Sequence, residues 1–274
     1  MTIIIDGNKY KKNKIEHYKK ENKDGIGLVV VQIGDDKASS TYIKQKKNMA
    51  TEIGINFVHE KMSKNASTQD IKEVIKKYNK DFNYSGIIVQ HPIPKQLDYD
   101  EIIASIDVNK DVDGIKEGSP FTPCTVLGII GMLEEYGIDS KEKNVVVVGR
   151  SKIVGAPLAE YFRKSGANVQ VCHSKTTNEE LKEVTLKADI LAVAVGKQDL
   201  ITGDMVKDGV IVIDVGINRT NEGKLVGDVN YETVAQKASH ITPVPGGVGP
   251  GTVASLIDNT FAKGNIYTLK NNDK

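Results

Sequence analysis

The chemistry this chain could perform starts at Tyr42 and Lys46, an aromatic ring and an amine four residues apart. If Ala38 to Lys46 is helical, the two side chains lie one above the other on a single face. A flat ring holds a planar aromatic substrate by stacking. A lysine drawn out of water loses part of its preference for the charged form and so moves protons nearer neutral pH. The competing reading is a solvated helix face. Lys44 and Lys47 flank the pair, and with three arginines (Arg150, Arg163 and Arg219) among 37 basic residues, a lysine at any helical position is ordinary. A second candidate is the amide of Gln90, at the end of an apolar run and just before His91 and Pro92. A third is Asp113, which also reads as a turn residue because Gly114 follows it.

The elements that must position these groups are legible in outline. Ile26 to Ile33 is a β-branched apolar run, the mark of a strand buried on both faces, and Gly34, Asp35 and Asp36 turn the chain into the Tyr42/Lys46 helix. Strand patterns at 55–61 and 86–90, separated by a helix at 68–81, complete a β-α-β-α-β series of the parallel-sheet kind. Open sheets of this type bind ligands beyond the carboxyl ends of their strands, the edge where Gln90 and the Lys46 helix both begin. Residues 8–24 suggest an exposed amphipathic helix closed by Asp24 and Gly25, and Thr122 to Tyr136 a long helix leading out of the first domain.

A second strand-helix series follows, with strands at 145–148, 168–172, 189–195 and 210–215 and a helix at 154–165. Between its first strand and helix lie Gly149, Arg150, Ser151, Val154, Gly155 and Pro157. The spacing is GxSxxxG rather than GxGxxG, so position carries more weight than the glycines: backbone N–H groups and a helix N-terminus there can face a pyrophosphate. At the end of the next strand, where an acidic residue usually binds the ribose of NAD, stand Cys172, His173, Ser174, Lys175 and Thr176. Hydroxyls and an ammonium suit a 2′-phosphate, so NADP is expected in preference to NAD, with Ser174, Lys175 and Arg150 near that phosphate. Gly196, and Gly216 with Ile217, end later strands where a ribose or nicotinamide could approach the backbone. Thr242 to Thr252 packs three prolines and four glycines into eleven residues before a helix at 252–263. Its composition fits a fixed backbone at a site better than a flexible linker.

Composition narrows the classes. A chain of 274 residues is long enough for two domains and a sizeable core. The near balance of 37 basic and 36 acidic residues, formal charge +1, points to no nucleic-acid or membrane partner. The N-terminus has neither a basic flank nor a long apolar run, so a cytoplasmic location is expected. Cys124 and Cys172 lack metal-ligand spacing and are expected as reduced thiols, neither a nucleophile; the five histidines form no ligand pair, so no metal is expected.

Together these motifs resemble the methylenetetrahydrofolate dehydrogenase/methenyltetrahydrofolate cyclohydrolase family along nearly the whole chain. The resemblance rests on Tyr42 to Lys46, Gly86 to Gln90 with its Pro-x-Pro continuation, Lys110 to Gly114, Pro123 to Thr125, Gly149 to Ser151 with Val154, Gly155 and Pro157, His173 to Thr176, Ile213 to Gly216, Gly227 to Val229 and Pro245 to Pro250. It implies two α/β domains flanking a cleft, the second Rossmann-like. The expected division is 1–121 with 253–274 as the folate-binding catalytic domain, and 122–252 as the NADP-binding domain. It also implies a homodimer, oxidation of 5,10-methylenetetrahydrofolate to the methenyl form, and hydrolysis of that to 10-formyltetrahydrofolate in one-carbon metabolism. By the same resemblance Tyr42 stacks on the aminobenzoate ring, Asp113 holds the pterin's N–H edge, Gln90 positions Lys46, Lys46 assists proton transfer, and Pro245, Gly246 and Gly247 border the substrate.

The chain departs from that pattern in four places. The loop between Asp113 and Pro123 is shorter than usual, Val126 replaces a proline, His91 replaces a common leucine, and Gly251 replaces a bulkier residue. These leave open a chain retaining only the dehydrogenase. A non-catalytic dinucleotide-binding regulatory module is disfavoured by the retention of Tyr42, Lys46, Gln90 and Asp113 together, and a hydroxy-acid dehydrogenase by the stacking tyrosine.

Overall fold

The computed structural model describes residues 1–262. Its strands are β1 (Ile3–Ile4), β2 (Gly27–Ile33), β3 (Asn56–Met62), β4 (Gly86–Gln90), β5 (Asn144–Val148), β6 (Asn168–Cys172), β7 (Ile190–Val193), β8 (Ile211–Asp214), β9 (Asn218–Arg219), β10 (Leu225–Val226) and β11 (His240–Ile241). Its α-helices are α1 (Gly7–Tyr18), α2 (Lys37–Ile53), α3 (Thr68–Asn79), α4 (Tyr99–Ala104), α5 (Cys124–Glu135), α6 (Gly155–Lys164), α7 (Asn178–Thr185), α8 (Tyr231–Val234) and α9 (Val248–Ala262). The chain forms two compact units, one of residues 12–124 with the described chain from Val253 onward, the other of residues 1–11 with 125–252.

In the first unit three parallel strands lie in the order β3-β2-β4, and every residue of the central β2 is buried. Period-two alternation sorts the side chains. Val29, Val31, Ile87 and Val89 pack with Ile71 and Ile75 of α3 and Ile102 and Ile103 of α4. Leu28, Val30 and Ile88 face the other way, onto Ile43, Val112, Cys124 and Leu256. Helix α2 starts at Asp36, whose side chain accepts from Ser39 N at 2.7 Å, a cap worth about 1 kcal/mol. Its residues Met49, Ala50 and Ile53 pack against Val253 and Ile257 of α9.

The second unit is a six-stranded parallel sheet in the order β1-β11-β8-β7-β5-β6. Its core is built from Val146, Val148, Leu191, Val193, Val212 and Ile241 with the helices and loops that cover them. β5 lies between β6 and β7, so successive crossovers run to opposite sides of it, and a crevice opens beyond the carboxyl ends of β5 and β7.

Four readings of the sequence need correction. Residues 1–11 join the second unit rather than the first, because Ile3 pairs with His240 and Ile4 with Ile241 and so extend its sheet. Helix α1 ends at Tyr18, not near Asp24. Helix α9 starts at Val248, four residues earlier than expected. Pro250 sits in its first turn, where a missing N–H breaks no helical hydrogen bond. The helix at 122–136 begins at Cys124. The polar ending at 270–274 lies outside the described residues.

Candidate functional site

Each unit carries a set of candidate residues. In the first, Lys46 is on the buried side of α2, on the stripe that continues through Ile43, Ala50 and Ile53, all buried. Its Nζ donates to Gln90 Oε1 at 3.0 Å. Burial pushes the Lys46 amine below the ordinary lysine range, while Asp113 and Cys124 oppose that shift by favouring the ammonium. Tyr42, half-buried, precedes Lys46 by one turn of the same helix.

Gln90 is fixed at both ends, because its Nε2 donates to the His91 carbonyl at 2.9 Å. The same carbonyl accepts from Ser39 Oγ at 3.4 Å, so the start of α2 and the turn after β4 are tied together. The His91–Pro92 peptide is cis, and the His91 ring meets Tyr99 edge-on with centroids 5.2 Å apart. Burial raises the Tyr99 phenol well above its usual range, and Asp113 adds to the effect.

Asp113 sits in a turn closed by Gly114 N donating to Asp111 O and by Cys124 N donating to Asp113 O. The short loop that follows is folded on itself. Asp111 Oδ2 accepts from Lys116 N at 2.8 Å, and Lys116 Nζ reaches the Ala104 and Ile106 carbonyls. Asp111 is 1% exposed, and burial raises its carboxyl to about 6. Cys124, fully buried with its thiol pushed up by burial, donates to Val112 O at 3.1 Å. Asn259 of α9 donates to Val112 O and Thr122 O at 2.9 and 3.0 Å. Ser39, Asp111, Cys124 and Asn259 thus support the site, although their sequence positions read only as caps, turns and core.

In the second unit the loop after β5 is compact. Gly149 has φ 115°, and a side chain there would overlap the Ala194 carbonyl oxygen, so glycine is required. Ala156 N donates to Ser151 O at 3.0 Å and Gly155 N to Ser151 Oγ at 3.4 Å, and no side chain caps α6 at Val154. Pro157 occupies the third position of α6, and exposed Arg150 and Ser151 stand before it. An anion such as a pyrophosphate fits this edge, where backbone donors and a helix N-terminus converge. Beyond β6, His173 N donates to Thr176 Oγ1 and Thr176 N to His173 O, a turn that presents Ser174 and Lys175 to solvent. Val195 and Ile217, 48% and 49% exposed, offer apolar surface beside Gly196 and Gly216.

Pro245, Gly246 and Gly247 lie in the second unit, in a turn held by Gly247 N to Pro243 O at 2.8 Å and by Gly7 N to Gly246 O at 2.9 Å. The turn is fixed rather than a flexible linker. Where relatives are expected to carry a bulkier residue at Gly251, a side chain would come within 3.0 Å of Met132 Cε, so Met132 fills that space.

A doubly wound sheet with a glycine-dependent loop at its switch point, joined to an α/β unit holding a half-buried lysine-amide pair, defines an NAD(P)-dependent two-domain enzyme. Residues 5–113 match the catalytic domain, and residues 123–267 the NAD(P)-binding domain, of tetrahydrofolate dehydrogenase/cyclohydrolase. The bifunctional protein FolD of Nautilia profundicola is 46% identical over 272 residues, covering 94% of this chain and 95% of its own. The crystal structure of the Campylobacter jejuni bifunctional enzyme FolD superposes with a TM-score of 0.92 at 40% identity, covering 97% of this chain and 99% of that one. The Trypanosoma brucei enzyme, complexed with NADP cofactor and inhibitor, gives 0.92 at 29% identity over 96% and 97% of the two chains. The chain belongs to the tetrahydrofolate dehydrogenase/cyclohydrolase family. Among the described residues no helix is long and apolar enough to cross a membrane.

Proposed function

We propose that this chain oxidises 5,10-methylenetetrahydrofolate with NADP and hydrolyses the methenyl product to 10-formyltetrahydrofolate. The observation that carries the reading is the Lys46–Gln90 contact, a buried amine held at 3.0 Å by an amide that is itself fixed. Tyr42 stacks the substrate's aminobenzoate ring and Asp113 accepts from the pterin's N–H edge. Pro245, Gly246 and Gly247 border the substrate. Gly149, Arg150, Ser151, Val154, Gly155 and Pro157 shape the pyrophosphate edge, with Gly196, Gly216 and Ile217 further along the bound dinucleotide. His173 and Thr176 hold the turn that points Ser174 and Lys175 at the 2′-phosphate. NADP, when bound, supplies hydride acceptance from the methylene carbon.

The hydrolysis is the part this chain's own side chains perform. Burial favours the neutral amine, so Lys46 can take a proton from the water that adds to the methenyl carbon. The resulting ammonium returns that proton to N5 as the carbon–N5 bond breaks. The remaining hydroxyl proton leaves to solvent as the formyl carbonyl forms, so one proton is released overall. Gln90 Oε1 accepts from the lysine in either state and keeps its nitrogen aimed. The enzyme acts in the cytoplasm as a homodimer.

The test is a spectroscopic assay with 5,10-methylenetetrahydrofolate and NADP that follows NADPH and the methenyl compound separately, with NAD in parallel. NADPH formation without methenyl accumulation is expected. Accumulation decaying at the uncatalysed rate would leave only the dehydrogenase. Absence of NADPH would overturn the proposal.

A further inference from the structure

We propose that Asp228 is a positioning residue for the dinucleotide, setting the shape of the two loops that carry Gly196, Gly216 and Ile217; this rests on the NADP reading above. Asp228 is fully buried, and its carboxylate accepts four hydrogen bonds. Oδ2 takes Val195 N at 2.7 Å and Gly196 N at 2.9 Å, while Oδ1 takes Lys197 N at 2.8 Å and Asn218 Nδ2 at 2.9 Å. Three successive backbone N–H groups converging on one anion form a nest, here filled by the protein's own carboxylate. That nest is the segment leaving β7 at the sheet's switch point, and the Asn218 amide brings the segment leaving β8 onto the same carboxylate.

Asp214 holds the other side of the arrangement. Its Oδ1 accepts from Gly216 N and Asp228 N at 3.0 and 2.9 Å, and its Oδ2 from Val229 N at 3.0 Å. The close approach depends on glycine, because a side chain at Gly227 would overlap the Asp214 carboxylate and one at Gly216 the Asp228 carboxylate. The two acids therefore fix the backbone around Gly196 and Gly216 and leave the apolar faces of Val195 and Ile217 turned to solvent at the crevice. Pairing of the buried carboxylate with backbone donors alone would satisfy folding. The additional reach to Asn218, which joins the two dinucleotide-facing loops, is what a positioning role adds.

The experiment measures the Kd of NADPH from its own fluorescence, together with thermal melts and the KM values for NADP and for 5,10-methylenetetrahydrofolate. In Asp228→Asn one carboxylate oxygen becomes an NH2 group facing backbone N–H donors, which releases the 195–197 turn. The NADPH Kd and the NADP KM are expected to rise at least tenfold, with kcat and the folate KM changing less than threefold. Asn218→Ala leaves the 195–197 nest on Asp228 intact, removes the amide's bonds to Asp228 Oδ1 and to the Gly227 carbonyl, and should raise Kd two- to fivefold; it decides the question if Asp228→Asn does not fold. Folded variants that bind NADPH with the wild-type Kd, showing only lower melting temperatures, would reduce Asp228 to a structural role and overturn the proposal. Wild-type protein that binds no NADPH would overturn the NADP reading and this inference with it.

Discussion

Gln90 accepts from Lys46 with one end of its amide, at 3.0 Å, and donates to the carbonyl of its own neighbour His91 with the other, at 2.9 Å. The amide therefore cannot flip without losing both partners, and it holds the lysine without adding a charge to the buried site. An acid at this position would hold the lysine too, but as a fixed ammonium.

That distinction predicts the behaviour of three variants. Lys46→Ala should abolish hydrolysis of the methenyl substrate while NADPH still binds with its wild-type Kd. Gln90→Ala should slow hydrolysis by about 10- to 100-fold, the range expected when a proton-transferring group loses its orientation. Gln90→Glu should retain the contact yet slow hydrolysis as well, because the new carboxylate favours the charged amine. Separate rate measurements for the two steps check all three.

The titration of Lys46 carries its own sign. Burial lowers its pKa and Asp113 raises it, so removing that carboxylate should lower the pKa further. In Asp113→Asn the Lys46 resonance, followed by NMR with labelled lysine, should titrate at lower pH than in the wild type. An upward movement would mean that Asp113 does not act on the amine.

Asp111 predicts a pH effect on stability. Burial lifts its carboxyl to about 6, above the value near 3.9 of an unfolded chain. Between those values the folded state binds more protons than the unfolded one, so this group makes stability rise as pH falls from about 6 toward 4. Asp111→Asn should remove that contribution and change the slope of stability against pH by up to about 1.4 kcal/mol per pH unit, the limit for one proton. Urea melts at pH 4, 5, 6 and 7 measure it.

Cofactor choice is predicted to rest on Lys175. Lys175→Ala should weaken NADPH binding about tenfold and NADH binding hardly at all, and it should flatten the salt dependence of the NADPH Kd, since an exposed ammonium acts mainly through screened charge. Equal losses for the two dinucleotides would move the 2′-phosphate away from the His173–Thr176 turn.

Much of this arrangement was legible in the residues, and the exceptions have physical causes. The parallel sheets, the Lys46 helix and the loop after β5 follow from long apolar runs and strong caps. Lys46 could have been singled out without any resemblance, because it interrupts the apolar stripe of Ile43, Ala50 and Ile53. β1 was missed because two isoleucines carry no period; Ile3 becomes a strand only through its pairing with His240. The start of α9 was missed because Gly and Pro weigh against a helix in its interior but not in its first turn. Asp214 reads as the last residue of an apolar strand, between Ile213 and Val215, and Asp228, after Gly227, as a turn residue. Their roles arise from hydrogen bonds between separate segments, from Asn218 to Asp228 across 10 residues and from Val195 to Asp228 across 33, which no local pattern encodes.

The placement of β1 also bears on how the chain comes to exist. Thr2 Oγ1 bonds the Ala238 carbonyl across 236 positions of sequence, and the first unit is covered only when Val253 and Ile257 arrive. Residues 1–11 must therefore wait for the segment near His240, and neither unit is a continuous stretch of chain. Contacts of this span slow folding and prolong the exposure of apolar edges. A nascent chain arrested before Val253 lacks the α9 side chains against which Met49, Ala50 and Ile53 pack, so the core of the first unit closes only once α9 has been made.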